Sequence, residues 1–379
     1  MSPYAHVVGW GRYVPERVLS NEELAHLVDT SDEWIRARTG IGERRIAGEE
    51  ESTATMAIRA ARQALEMAGV RPAQLDMVIV ATITPDYLFP ATACAVQDAL
   101  GARHAGAFDL SAGCSGFVYG LGIGANLIAA GACRNVLVIG SETLSRVMDW
   151  SDRSTCVLFG DGAGAVLLQA SDVPGGVLSV VLGADGSGGD LLWQPAGGSR
   201  HPASHYTVAE RMHCLRMKGR EVYRFAVQQI PQATREVLER AGIDIRDVAL
   251  FVPHQANQRI IEAAARTLGV SPDRFYCNLE RYGNTSAASI PIALVEALEA
   301  GRIQRDDVIV CVGFGAGLTW GAAAIRWSAP LPVAPLSRWA SLVYRLRYWQ
   351  AGARSAGRRL SRWIGARFNG RKSGENGRN

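Results

Sequence analysis

Cys114, His254 and Asn284 are the residues of this 379-residue chain whose types, taken together, suit nucleophilic catalysis. Cys114 stands in Phe108-Asp109-Leu110-Ser111-Ala112-Gly113-Cys114-Ser115-Gly116-Phe117, where an apolar run breaks into small residues and then resumes with helical spacing. The pattern predicts strand, tight turn and helix, with the sulfur at the turn. Small neighbours let another molecule approach, and a helix N-terminus favours a thiolate through its unpaired N–H groups and the positive end of its dipole. The same pattern also suits a small buried cysteine packing as a hydrophobe. His254 ends the strand Leu250-Phe251-Val252-Pro253, and Asn284 lies in a turn of small residues that opens another helix. Taken singly, a satisfied core histidine and a turn-forming asparagine read these two equally well.

A repeat joins the three. Leu65-Glu66-Met67-Ala68-Gly69-Val70 returns as Leu238-Glu239-Arg240-Ala241-Gly242-Ile243, and Asp76-Met77-Val78-Ile79-Val80 returns as Asp247-Val248-Ala249-Leu250-Phe251 at nearly the same offset. The strand Val136 to Gly140 is echoed by Val308 to Gly313, and the offset that carries Leu65 to Leu238 also carries Gly140 to Gly313. Recurring helix then strand predicts an α/β fold made of two duplicated halves. The same offset carries position 114 to 287, inside the turn that holds Asn284, so two helix starts meet at a pseudo-symmetry axis. Side chains at strand C-termini gather at one sheet edge, where ligands bind. The reading divides the chain into 1–172 with the cysteine, 173–327 with the histidine and asparagine, and a tail over 328–379.

Local signals fill in the frame. Ser20-Asn21-Glu22-Glu23 caps a helix expected to run through Val28, and Thr30-Ser31-Asp32-Glu33 opens one that carries Trp34 and Arg38 and stops at Gly40. Residues 52–69 read as a helix ending at Gly69. Gly160-Asp161-Gly162-Ala163-Gly164 lacks the Lys-Ser/Thr of a phosphate loop and is expected to be a structural turn.

Composition narrows the class. Hydrophobic residues at 48% and charged residues at 20% describe a folded chain. Seven scattered cysteines without CxxC spacing indicate neither a disulfide framework nor a zinc site, so a reducing compartment is expected. With no leader-like start and no long uncharged apolar run, the reading is cytoplasmic. The net charge of +4 hides an asymmetry: 328–379 holds 11 Lys+Arg and one acid, which leaves 29 basic and 35 acidic residues in the body. No body surface is expected to bind nucleic acid. After a proline-broken linker, Ala329 to Pro335, the tail places Trp339, Leu342, Val343, Leu346, Trp349, Leu360, Trp363, Ile364 and Phe368 at helical spacing, with breaks near Gly352 and Gly357 and arginines on the other side. Peripheral contact with an anionic membrane through 336–368 is one reading; a helix docked on its own dimer, or a disordered basic end, is the other.

The chain from about Val7 to Trp327 resembles the β-ketoacyl-acyl-carrier-protein synthase III enzymes of the thiolase superfamily. The resemblance rests on Val28 to Ile35, Thr39-Gly40-Ile41, Phe108 to Phe117, Phe159 to Gly164, Ala184 to Ser187, Val252 to Asn257, Gly283 to Ala287 and Gly313 to Gly317, with Tyr282 standing where the family has His. It implies thiolase-like αβαβα layers, a homodimer, and an acyltransferase that joins an acyl-CoA, with acetyl-CoA the expected donor, to malonyl-acyl carrier protein. It further implies an acyl-Cys114 intermediate, an oxyanion hole from Cys114 and the Gly315 loop, and an enolate held by His254 and Asn284. Coenzyme A would meet Thr30, Trp34, Arg38, Arg153 and Asn257, with its adenine between Trp34 and Arg153; the carrier protein would meet Arg259, Arg224 and Arg266. Phe89 would reach the acyl pocket of the other subunit. No metal or bound cofactor is implied; coenzyme A enters as the substrate's thioester.

Two other readings weigh against this one. A cysteine peptidase uses Cys, His and Asn in the same chain order, but its local cysteine signature is absent and a duplicated α/β layout is wrong for it. A synthase III homologue of secondary metabolism, loading a longer or unusual acyl group, differs only in pocket shape.

Overall fold

Alternating apolar strands and alanine-rich helices assemble into two sheets of matching internal order. The computed structural model describes residues 3–328 and 338–375. The first sheet holds β1 (Tyr4–Tyr13), β2 (Met77–Ala81), β3 (Gly106–Leu110), β4 (Asn135–Thr143) and β5 (Asp161–Ser171), in the order β1-β5-β4-β2-β3. The second holds β6 (Gly176–Ala184), β7 (Val248–Pro253), β8 (Val308–Gly315) and β9 (Thr319–Arg326), in the order β6-β9-β8-β7. In both, a matching pair is parallel, β2 with β4 and β7 with β8, while β5 runs antiparallel to β1 and β4, and β9 antiparallel to β6 and β8. The counterpart of β3 shrinks to one parallel bridge between Phe251 and Phe275.

The helices that matter here are α1 (Asp32–Thr39), α2 (Thr53–Ala68), α3 (Thr92–Leu100), α4 (Gly116–Ala129), α5 (Gly219–Ala241), α6 (Gln258–Leu268), α7 (Ser289–Glu299) and α8 (Arg338–Glu375). Phe117 and Leu121 of α4 and Ile290 and Leu294 of α7 share one core with Val136 and Val138 of β4 and Ile309 and Cys311 of β8, so these two helices form the middle layer. Alanines of α2 and Val96 of α3 cover the outer face of the first sheet, and Ala226 and Ile230 of α5 with Ile260 and Ala264 of α6 cover the second. The result is αβαβα layering from two duplicated halves. A single 3-10 turn precedes each central helix, Gly113–Ser115 before α4 and Ser286–Ala288 before α7, in the register of the sequence repeat.

Local signals act as their chemistry requires. The Ser31 and Ser52 side chains accept hydrogen bonds at the starts of α1 and α2, and Gly40 and Gly69 close them at φ 82° and 66°. The capping box of Ser20 and Glu23 opens a shorter helix than expected, Asn21–Ala25. Gly160-Asp161-Gly162-Ala163-Gly164 is not a turn: from Asp161 it is the start of β5. Gly162 and Gly164 are needed because α7 packs there, where a Cβ on Gly164 would lie 2.7 Å from that of Pro291, and Gly160 because the Tyr282 carbonyl approaches it.

The tail corrects two expectations; its linker, Ala329 to Pro335, and the side chain of Phe368 lie outside the described residues. α8 runs without interruption past Gly352 and Gly357, each of which costs a helix only about 1 kcal/mol. The face it buries is also not the one its tryptophans and leucines mark. Tyr344 and Tyr348 join the core of α2 and the first sheet, and Arg62 lies 4.6 Å over the Tyr348 ring. Ala351 packs on Gly101, Ser355 donates a hydrogen bond to Asp98, and Arg358 adds a second at 2.6 Å. The helix thus docks on its own chain.

The two halves touch where Gly140 of β4 meets the carbonyl oxygen of Ala287, with no room for a Cβ. Gly140→Ala is expected to lower stability by about 2–4 kcal/mol, whereas Gly352→Ala, whose Cβ meets nothing, should be neutral or stabilising by up to about 1 kcal/mol. Urea unfolding of the two variants measures both.

Candidate active site

Three strand ends and two turns converge on one cavity of about 770 Å³. β3 leads into the Cys114 turn, β7 ends one residue before His254, β8 ends at Gly315, and Asn284 lies ahead of the turn that starts α7. Cys114, His254, Asn284 and Gly315 all line the cavity. Glycine in β8 makes this possible. Gly315 has no room for a Cβ beside the Cys114 nitrogen, which would lie 2.3 Å away, and a Cβ on Gly313 would sit 3.1 Å from Ile290 of α7. Ala316 follows so closely that its nitrogen is 2.6 Å from where a Cβ on Gly113 would be.

His254 is buried, and its backbone N–H donates to Val312 at 2.8 Å. Burial lowers its pKa to about 3, so the ring is neutral at physiological pH. Nδ1 lies 2.6 Å from the Ser289 hydroxyl oxygen, which also accepts from the Gln255 N–H at 3.4 Å. We assign the serine hydrogen to Nδ1, which puts the ring's own hydrogen on the otherwise unpartnered Nε2. Nε2 is buried and meets no partner among the described residues. The Phe314 ring packs edge-on against the imidazole at 5.3 Å.

Asn284 is fixed at both ends. Its N–H donates to Leu158 and its C=O accepts from Gly160. Its side-chain oxygen accepts from the Ser286 N–H at 2.8 Å, which leaves the amide NH₂ as the group free to donate. Ser286 holds an unusual φ of 48° and donates its hydroxyl to Glu142 at 2.9 Å. Glu142, fully buried at the end of β4, also accepts from Thr82, Ile83 and Thr84; burial nonetheless raises its pKa. A carboxyl from the first half therefore anchors the asparagine turn of the second. Neither Glu142 nor Ser289 stands out in the sequence, because a single polar residue in an apolar run has no periodicity of its own.

Cys114 is buried, and burial pushes its thiol up to about 12, against a smaller opposing hydrogen bond with Ser286. The resting sulfur is a thiol, so the expected bias of the helix start toward a thiolate is outweighed by desolvation. Alkylation of Cys114 by iodoacetamide should then rise by about tenfold per pH unit from about pH 6 to 9 without a plateau, since the thiolate fraction grows that way below the pKa. A plateau near pH 8 would mean that the helix dipole wins.

Trp34, Arg38, Arg153 and Asn257 line the outer part of the same cavity. The Arg38 and Arg153 guanidiniums lie 4.7 and 5.0 Å from the Trp34 ring centre, and Arg153 donates to the Asp29 carbonyl at 2.6 Å. A base sandwiched between Trp34 and Arg153 requires that guanidinium to move outward. Asn257 caps α6, accepting from the Arg259 N–H and donating to the Arg38 carbonyl. Thr30 does not line the cavity. Arg224 and Arg259 do, while Arg266 lies two turns further along α6. Arg220 joins them unanticipated, one helical turn before Arg224 on α5. Among the described residues no acidic side chain lines the cavity, so its mouth suits an anionic ligand. Phe89 is 86% exposed on the loop before α3 and does not reach the cavity of its own chain.

Known proteins share this sequence pattern and fold. The family model 3-oxoacyl-[acyl-carrier-protein (ACP)] synthase III matches residues 108–186, and its C-terminal companion matches 238–327, ending ahead of α8. The β-ketoacyl-[acyl-carrier-protein] synthase III of Caldanaerobacter subterraneus subsp. tengcongensis is 55% identical over 324 residues, covering 86% of this chain and 98% of its own length. The crystal structure of 3-oxoacyl-[acyl-carrier-protein] synthase III from Aquifex aeolicus VF5 is 48% identical with a TM-score of 0.79, covering 85% of this chain and all of that one. The priming β-ketosynthase of the R1128 polyketide pathway is 40% identical with a TM-score of 0.81, covering 87% of this chain and 98% of its own. With such identity across nearly the whole of its relatives, and with the cysteine, histidine and asparagine turns gathered in one cavity, this chain belongs to the β-ketoacyl-acyl-carrier-protein synthase III family of condensing enzymes.

Proposed function

We propose that this chain condenses an acyl-CoA with malonyl-acyl carrier protein to give a 3-oxoacyl-acyl carrier protein, the opening step of fatty-acid synthesis. The observation that carries the proposal is the meeting of Cys114 with two neutral donors, the Nε2–H of His254 and the amide of Asn284, in a cavity whose charged residues are all arginines. Coenzyme A takes the outer cavity, its base stacked on Trp34 and its anionic groups near Arg38, Arg153 and Asn257, with Thr30 behind them. Arg224 and Arg259 at the mouth, and Arg266 beyond it, meet the acidic carrier protein.

The Cys114 sulfur attacks the thioester carbonyl, and the oxyanion that forms is held by the N–H of Cys114 and the Gly315 loop. The carbonyl reforms as the carbon–sulfur bond to coenzyme A breaks; coenzyme A leaves with the thiol proton and the acyl group stays on Cys114. In the second half-reaction, malonyl-carrier protein loses carbon dioxide and the electron pair of the broken bond becomes an enolate. His254 and Asn284 donate hydrogen bonds to its oxygen and need not ionise. The enolate carbon attacks the acyl carbonyl, and Cys114 leaves as thiolate to regain a proton. No bound cofactor takes part.

Acetyl-CoA is the donor this reading favours, and the similarity to a polyketide-priming enzyme keeps a longer or unusual acyl group as the alternative. The exposed Tyr87-Leu88-Phe89 loop supports a homodimer in which Phe89 enters the partner's acyl pocket. The enzyme works in the cytoplasm, with α8 as the part of the chain suited to a lipid surface.

Intact mass after incubation with a panel of acyl-CoAs tests the first half-reaction. Wild type should gain one acyl group, acetyl foremost, and Cys114→Ser none; no adduct from any donor overturns the reading, and a preference for longer chains moves it to the specialised synthase. Asn284→Asp keeps the shape but removes the donor, so it should still be acylated while condensation falls by about 10²–10³-fold. Malonyl-carrier-protein turnover followed by mass measures that loss.

A further inference from the structure

α8 has two faces with different fates. Tyr344, Tyr348, Ala351 and Ser355 follow one another at spacings of four and three and are buried against the body. At about 100° per residue, Trp339, Leu342, Leu346, Trp349 and Leu360 fall on the opposite side. These five are 78, 54, 53, 70 and 58% exposed, and the stripe they make is larger than the scattered apolar residues of an ordinary surface.

Charge decides what could cover this stripe. The helix carries no acidic residue before Glu375. Arg345 and Arg354 are exposed and, at about 100° per residue, flank the stripe on its two sides, whereas Arg358 and Arg359 on the docked side are paired with Asp98. A second copy of the helix would set arginine against arginine, whereas paired helices need opposite charges along their flanks. An anionic phospholipid surface offers what both features need: an interface for tryptophan and leucine, and phosphates for the guanidiniums. Among the described residues no helix is long and apolar enough to cross a membrane, so the contact lies in the plane of the surface.

We infer that α8 holds the enzyme on an anionic phospholipid surface, with the Trp339–Leu342–Leu346–Trp349–Leu360 face in the lipid interface and the exposed Arg345 and Arg354, roughly a quarter turn to either side of it, receiving headgroups. The tyrosine face keeps the helix fastened to α2 and α3, so the whole catalytic body is carried to the surface with it. This deepens the surface role given to α8 above and does not depend on the condensing chemistry.

Vesicle flotation with the full chain tests it. Wild type should float with vesicles of equal phosphatidylglycerol and phosphatidylcholine in low salt, and stay behind with pure phosphatidylcholine or in high salt. The triple variant Trp339→Ser/Leu346→Ser/Trp349→Ser should float at least about tenfold less while its melting temperature and its vesicle-free acylation by acyl-CoA are unchanged. Equal flotation of variant and wild type overturns the inference, as does no flotation of wild type. So does a wild type that binds no vesicles and is twice the variant's mass by light scattering, which would give the face to a second copy. Because acylation is read without vesicles, loss of the lipid contact and loss of the condensing reaction are separate outcomes.

Discussion

Two helix-opening turns, one from each half, are pressed together at the centre of the molecule, and the site follows from how little room they leave. Gly140 sits against the Ala287 carbonyl as Gly313 sits near that of Cys114, and these two glycines occupy equivalent places in the repeat. A side chain at Gly140 would push the sheet away from the turn it supports, while one at Gly313 would press on Ile290 of α7, 3.1 Å away. The duplicated architecture therefore does more than double the core: it brings a nucleophile from one half within reach of donors from the other. The burial that this packing imposes then sets the chemistry, keeping the cysteine a thiol and the imidazole neutral.

The donors are defined by residues that touch no substrate. Ser289 pairs with the imidazole Nδ1, and the Ser286 N–H occupies the Asn284 oxygen so that the amide presents its NH₂. Glu142 holds Ser286 from the far side of the interface between the halves. Such a chain is worth more than its separate bonds, because an unmet polar group in this dry interior costs about 1–3 kcal/mol.

What is legible in the sequence is what local chemistry encodes. Serine caps, left-handed glycines and the repeat of one half in the other each act through neighbours on the chain or through a whole-element pattern, and together they place Cys114, His254 and Asn284 at one edge. Glu142 and Ser289 are silent because their partners are 144 and 35 residues away. The Gly160–Gly164 run misleads for the same reason: its glycines answer to α7 and to the Tyr282 carbonyl, not to a turn. In α8, the tryptophan and leucine spacing advertises one face, while the docked face is made of tyrosine and small residues whose fit depends on Gly101 and Asp98.

The arginine that lies over Trp34 has a further consequence. In the unliganded protein Arg153 covers the indole and is tied to the Asp29 carbonyl. A flat group arriving there exchanges one stacking partner for another instead of filling a hole, so part of its binding energy goes into lifting the guanidinium away. On departure the same guanidinium closes behind it. The face of Trp34 is thus self-occupied, and a flat group stacked there would bind more weakly by the cost of lifting the guanidinium.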